Sequence, residues 1–276
     1  MIQLDTSEYD KLNKLLSKVT INNLFARAVI EKRVSGSVYV DNKNNPKSCY
    51  VVHPYGMSLL FGVNHNNKFN TAFVNYVKNK DGNRTKDNWM QTYPAEWDKT
   101  LKTLFKQHKL ISNDQLPKLN QDKVEVYKRV NFKFNLEKYL HFRETIQPEN
   151  FVIKQSEKGI YTKMKGSVVP SYFWDNENDF FQNGIAFSLY VEEKLATTAF
   201  SAFVHDSKLE LGIETIEDFR GKGYAQLVCS CLIDYCLANN YKPIWACNSS
   251  NTGSYKLAQK LGFEHHQTIP YYKLNR

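Results

Sequence analysis

The sequence has no long apolar run. No stretch approaches the ~18 residues that a membrane span needs. The N-terminus, Met1-Ile2-Gln3-Leu4-Asp5, lacks the basic-then-apolar pattern of a secretory signal. A cytoplasmic location is expected, with no membrane partner. Basic residues form no block long enough for a nucleic-acid tail. Lys plus Arg (37) exceeds Asp plus Glu (28), a formal net charge of +9; an anionic ligand suits that balance but is not required by it. Cysteine is sparse: Cys49, Cys229, Cys231, Cys236 and Cys247, with no pair of Cys-x-x-Cys motifs. Cys229 and Cys236 share a helix face with Leu232 and Ile233, which favours small buried hydrophobes over metal ligands. His265-His266 is also a poor chelating pair, because neighbours on a strand point to opposite faces. No metal is expected.

What is present suffices for a core. Hydrophobic residues make up 42% and aromatics 14%, so the chain is a folding one. Its 276 residues allow one large domain or two ordinary ones. Residues 1–145 and 150–276 are expected as two domains, with 135–150, ending Gln147-Pro148-Glu149-Asn150, as the linker.

The first domain reads as α+β. Helical spacing covers 5–19, 21–31, 67–77 and 96–108; strands are expected at 37–40, 48–53, 57–63 and 124–134. Residues 78–88 are polar and 110–122 loop-like. In the second domain a short strand at 151–153 precedes an aromatic stretch at 171–181, a short helix or an ordered loop. Strands at 185–192, 195–204 and 208–216 are separated by breaks short enough for hairpins, hence antiparallel. A helix over 224–238, a strand over 243–247 and a helix over 254–261 follow, with Gly262 as a helix-ending C′ residue. Strand-like pieces at 263–267 and 271–274 flank Pro270.

The informative stretch is Asp218-Phe219-Arg220-Gly221-Lys222-Gly223-Tyr224-Ala225. It joins a strand to a helix. A helix start carries unpaired N–H groups and the positive end of the macrodipole. Two glycines let the backbone turn tightly and approach a phosphate. Arg220 and Lys222 add charge, Lys222 as a phosphate contact or as a solvated turn residue. Gly223 stands where a Walker motif needs Ser or Thr, so nucleotide hydrolysis is not indicated.

This pattern is similar to the GNAT acetyltransferases. Arg220-Gly221-Lys222-Gly223-Tyr224-Ala225 fits the Arg/Gln-x-x-Gly-x-Gly/Ala turn, and Asn251-x-x-Ser254-x-x-Leu257-Ala258-x-Lys260-Leu261-Gly262-Phe263 fits the downstream helix motif. Glu214-Thr215 and Pro243-x-Trp245 further resemble the subfamily of zwittermicin-resistance-type proteins. The resemblance covers roughly 150–276. It implies an α/β (α+β) fold: a mixed, mostly antiparallel sheet flanked by helices. It also implies acetyl-CoA as co-substrate and a small-molecule amine as acceptor. Main-chain groups at Ile213 and Thr215 would pair with pantetheine like an added strand. The turn from Arg220 to Ala225 would take the pyrophosphate. Asn251 and Ser254 would meet the CoA arm.

Direct attack by a neutral amine needs a proton acceptor and a way to stabilise the leaving thiolate. Glu214, sharing a strand face with Glu210, is the expected base. Many family members carry Tyr where this chain has Ala258, so Tyr255, three residues earlier, is the candidate acid beside Tyr271, Tyr272 or water. Cys247 reads as core. Trp174 and its neighbours Tyr172, Phe173, Phe180 and Phe181 fit either a core or an acceptor pocket.

The first half follows the same order of helices, three strands, helix, strand. A degenerate, non-catalytic GNAT-like copy is therefore expected there. Its equivalent turn, Gly62-Val63-Asn64-His65-Asn66-Asn67, has no Arg and no Gly-x-Gly. The rival readings are a protein-lysine acetyltransferase, a non-catalytic acyl-CoA sensor and, resting on charge alone, a nucleic-acid binder.

Overall fold

The structure is a computed structural model describing residues 1–82, 84–105, 118–119, 124–146 and 151–276. Most of the expected loop over 110–122, the end of the helix over 96–108 and Gln147-Pro148-Glu149-Asn150 lie outside the described residues. Two compact units are present: Met1–Arg129 with Thr268–Arg276, and Val130–Gln267.

Unit 1 begins with β1 (Ile2–Gln3), a 3-10 turn over Thr6–Leu12, α1 (Asn13–Leu16) and α2 (Leu24–Ile30). An antiparallel meander follows: β2 (Ser37–Val40), β3 (Ser48–Val52) and β4 (Met57–Gly62). Then come α3 (Asn67–Val77), β5 (Asn88–Tyr93) parallel to β4, α4 (Glu96–Leu104), the short β6 (Lys118–Leu119) and β7 (Val124–Phe134). Asn66 caps α3, whose Phe69, Phe73 and Val77 pack with Tyr50, Leu60, Met90 and Trp97. Apolar residues four apart, at 69, 73 and 77, put that face in the core.

Unit 2 holds α5 (Leu136–Glu144), β8 (Val152–Gln155), α6 (Ile160–Lys163) and α7 (Glu177–Asn183). Strands β9 (Ala186–Val191), β10 (Lys194–His205) and β11 (Lys208–Thr215) form an antiparallel meander. Next are α8 (Tyr224–Ala238), β12 (Lys242–Ile244) parallel to β11, β13 (Ala246–Asn248), α9 (Thr252–Lys260) and β14 (Phe263–Leu274). The sheet order is β12-β11-β10-β9-β8. Val228, Leu232, Ile233 and Cys236 of α8 pack on Leu189, Ala199, Leu209 and Leu211. The two units thus repeat one order: an antiparallel meander, a helix, a strand parallel to the last, another helix.

The compact units divide elsewhere than at 145–150, because β7 and β14 each run from one unit into the other. The expected linker contains α5. Asn135 caps it by accepting from Lys138 N at 3.1 Å, and Tyr139 is buried, its one hydroxyl proton shared between Asp234 Oδ1 at 2.5 Å and Ser230 O at 3.0 Å. Leu136 and Leu140 stay exposed, so the apolar spacing of α5 does not mark one face. Strand β5, absent from the sequence reading, follows the polar stretch. Pro270 interrupts nothing; β14 is one strand of 12 residues. The expected strand over 243–247 is two strands that break at Trp245.

The cysteines are free thiols; Cys49, Cys229, Cys236 and Cys247 are buried. Burial pushes the Cys236 thiol up to about 12, so it is an uncharged packing group. Among the described residues no His, Cys, Asp or Glu group is arranged to hold a metal ion, and no helix is long and apolar enough to cross a membrane.

His53 in unit 1 carries a pH dependence. It is buried, its Nδ1 accepts from Tyr55 N at 3.1 Å, and burial lowers its pKa to about 3. An unfolded chain protonates this ring near pH 6.5, as a free histidine does. Between those values the unfolded state binds the extra proton, so stability falls as pH drops, by at most ~1.4 kcal/mol per pH unit. His53→Asn keeps an acceptor near the Nδ1 position. Its stability should depend less on pH between 6 and 4 than that of the parent; parallel denaturation curves across that window would rule the effect out.

Candidate active site

The turn before α8 has the geometry of an anion cradle. Gly221 (φ 77°) and Gly223 (φ 81°) are both left-handed, which non-glycine residues adopt only with strain. A Cβ at Gly221 would meet nothing within 4 Å, and one at Gly223 only the Gln226 side chain, at 3.5 Å. The turn therefore faces open space. Gly223 is the N-cap of the 15-residue α8, and no side chain caps that helix. By contrast α3, α5, α7 and α9 each receive an Asn cap. Gln226 N donates to Gly223 O at 3.2 Å, while the N–H groups of Tyr224 and Ala225 stand at the helix start with the positive macrodipole end behind them. A cavity of about 200 Å³ adjoins the turn, lined by Phe142, Phe151, Lys222, Gly223, Gln226 and Leu227 among others. Roomier cavities of about 890 and 750 Å³ lie in unit 1; the backbone, not volume, singles out this place. Lys222 Nζ sits 5.3 Å from the Phe219 ring centroid and is exposed.

Beside the cradle the sheet opens. The β11–β12 ladder runs from Lys208↔Lys242 to Glu210↔Ile244 and stops. Trp245 turns the chain away: its O accepts from Phe132 N at 3.1 Å, and its indole Nε1 donates to Ser254 Oγ at 3.1 Å. Even-numbered peptide groups of this segment face β10: Glu214 O accepts from Thr197 Oγ1 at 3.0 Å, and Ile216 N donates to Ala196 O at 2.9 Å. Odd-numbered ones face the other way, as Ser207 O shows by taking Lys242 N at 2.6 Å. By strand alternation Ile213 and Thr215 present their main chains to the edge that β12 has left. Thr215 O is taken by Arg220 Nε at 3.0 Å.

Glu214 is 8% exposed. Its Oε2 accepts from Ser167 N (2.8 Å), Val168 N (2.9 Å) and Ser167 Oγ (3.1 Å), while Oε1 faces Arg220 Nη2 at 3.3 Å. The carboxylate therefore ties the 166–168 segment to the cradle's first residue. That is a positioning arrangement, with Oε1 turned toward the cradle.

The family model for GNAT acetyltransferases matches residues 13–272. The chain belongs to the GNAT acetyltransferase family. It is similar to an uncharacterized N-acetyltransferase, YdfB, of Bacillus subtilis: 24% identical over 243 residues, covering 87% of this chain and 86% of that one. In fold it is similar to a GCN5-related N-acetyltransferase-like protein from Streptococcus suis (TM-score 0.70, 19% identity, 98% of this chain and 99% of that one). A tandem GNAT protein from the clavulanic acid biosynthesis pathway is similar at TM-score 0.62 and 7% identity, over 99% and 98%.

The GNAT match spans both units, beyond the roughly 150–276 that the motifs carry. In this GNAT acetyltransferase the remaining expected site residues take the following places. Asn251 Oδ1 accepts from Ser254 N at 3.0 Å, capping α9, and Ser254 Oγ holds Trp245. Tyr255 is half-buried, edge-on to Phe132 with centroids 5.3 Å apart. Ala258 is fully buried in the core. Phe173, Trp174 and Phe180 are buried too, with Trp174 Nε1 donating to Ser201 O at 2.8 Å; Tyr172 is exposed. They are largely core. Ser167 and Val168 went unnoticed because their role depends on backbone N–H groups, which leave no mark in the sequence.

Proposed function

We propose that this acetyltransferase takes acetyl-CoA as donor and a small-molecule amine as acceptor. The observation that carries this is the uncapped, glycine-headed α8 beside a strand edge freed at Glu210/Ile244. The cradle of Arg220, Gly221, Lys222, Gly223, Tyr224 and Ala225 would hold the pyrophosphate. Ile213 and the Thr215 N–H would pair with pantetheine, and Asn251 and Ser254 would border the CoA arm. The amine nitrogen bonds to the acyl carbon as the C–S bond breaks. The ammonium proton goes to water, and the thiolate takes one from Tyr255; Tyr255→Phe with unchanged kcat would assign that last step to water as well.

The test is calorimetry with acetyl-CoA, then thiol release over a panel of small amines and lysine peptides. Absence of acetyl-CoA binding overturns the reading. Binding without turnover on any amine would favour the non-catalytic acyl-CoA sensor, which the engaged Glu214 and Ala258 also suit.

Glu214→Gln separates the two roles of that residue. A glutamine oxygen placed toward Ser167 and Val168 leaves its NH2 group facing Arg220, loosening the turn. As a positioning residue its loss should raise KM for acetyl-CoA about tenfold, the scale of one lost charged hydrogen bond, with kcat nearly kept. Loss of a general base would instead lower kcat by about 10²–10⁴.

A further inference from the structure

Unit 1 has no phosphate cradle at the corner where the repeat would put one. The chain leaves β4 through Gly62-Val63-Asn64-His65, and α3 is closed by Asn66, whose Oδ1 accepts from Phe69 N at 3.1 Å. Strand β4 stays paired with β5 from Met57↔Trp89 to Phe61↔Tyr93, so no gap opens between them. The same corner nonetheless borders a cavity of about 750 Å³, within the rough 300–1,000 Å³ of small-molecule sites.

The lining of that cavity is chemically one-sided. Lys11, Lys14, Lys18 and Lys47 stand on it against a single carboxylate, Glu96. Lys11 is paired with Glu8 at 2.6 Å. The remaining lining mixes Asn44, Asn45 and Asn64 with an apolar part from Leu15, Pro46, Tyr93 and Pro94. The wall carrying Lys47 is held in place. Asp41 Oδ1 accepts from Lys47 N at 2.9 Å and Ser48 N at 3.1 Å, and Lys47 O accepts from Val63 N at 2.8 Å. Across the corner Trp97 Nε1 donates to Gly62 O at 3.0 Å, and Asn64 Nδ2 to Thr100 Oγ1 at 3.1 Å. Preset walls reduce the ordering cost of binding.

We propose that this cavity is a binding site for a small organic anion: a carboxylate, sulfonate or phosphate ester carried on an apolar body. The lysines meet the acid group, and Leu15, Tyr93 and Pro94 meet the body. Pantetheine is a poor occupant, because the strand edge it would pair with is already paired. The site is independent of the donor assignment in unit 2.

The probe is 8-anilinonaphthalene-1-sulfonate, which joins one sulfonate to an aromatic body, titrated by fluorescence against the full chain with and without saturating acetyl-CoA. The parent should show a saturable site that acetyl-CoA does not displace. Lys14→Glu with Lys47→Glu should weaken it at least about tenfold, as reversing charges beside a bound anion does. Both lysines are exposed, so unfolding is not the expected cause; an unchanged thermal melt and acetyl-CoA affinity verify this. Equal probe affinity in parent and double variant, or complete displacement by acetyl-CoA, overturns the proposal.

Discussion

Gly223→Trp should abolish acetyl-CoA binding while leaving the fold in place. The turn at Gly223 is left-handed and its Cβ direction is open apart from the Gln226 side chain. An indole there occupies the space in front of the first N–H groups of α8, where a phosphate would lie. Left-handed strain costs roughly 1–2 kcal/mol, and the exposed position adds no packing clash. Affinity should fall at least about 100-fold, near 2.7 kcal/mol. Calorimetry reads the loss, and a melting curve shows that folding is kept. Parent-like affinity in the variant would remove the turn from the donor site.

Gly262→Ala should do the opposite and strike folding first. Gly262 is also left-handed, at φ 80°, but its Cβ would lie 2.7 Å from Tyr139 N and 2.8 Å from Asn135 O. These are backbone atoms at the start of α5, and Asn135 N donates to Gly262 O at 2.9 Å. The methyl group cannot be absorbed by a side-chain rotation. Strain of about 1–2 kcal/mol adds to overpacking of about 1–3 kcal/mol. A loss near 3 kcal/mol corresponds to on the order of 10 °C in melting temperature for a chain of this size. A melting temperature within about 2 °C of the parent, roughly the shift from less than 1 kcal/mol, would show that α5 yields without cost. The two glycines share a backbone angle and differ in what surrounds them.

Much of the architecture was legible because its signals are local. The α8 stripe, the meander over 186–215 and α3 follow from apolar periodicity and short turns. Other elements were hidden. Helix α5 leaves Leu136 and Leu140 in solvent, so it does not read as amphipathic. The 243–247 run reads as one strand because nothing local marks Trp245 as the point of departure; its bonds to Phe132 and Ser254 do.

The sequence alone supplied the expectation of a phosphate-bearing ligand for the second unit. Two glycines, two cations and a helix start are neighbours in the chain, so their joint chemistry can be read without a fold. Tertiary structure decided the roles. It bonded Glu214, the expected proton acceptor, to Ser167, Val168 and Arg220. That role depends on Ser167 and Val168, 47 and 46 residues before Glu214 in the chain, and such pairings are set by packing rather than by local spacing.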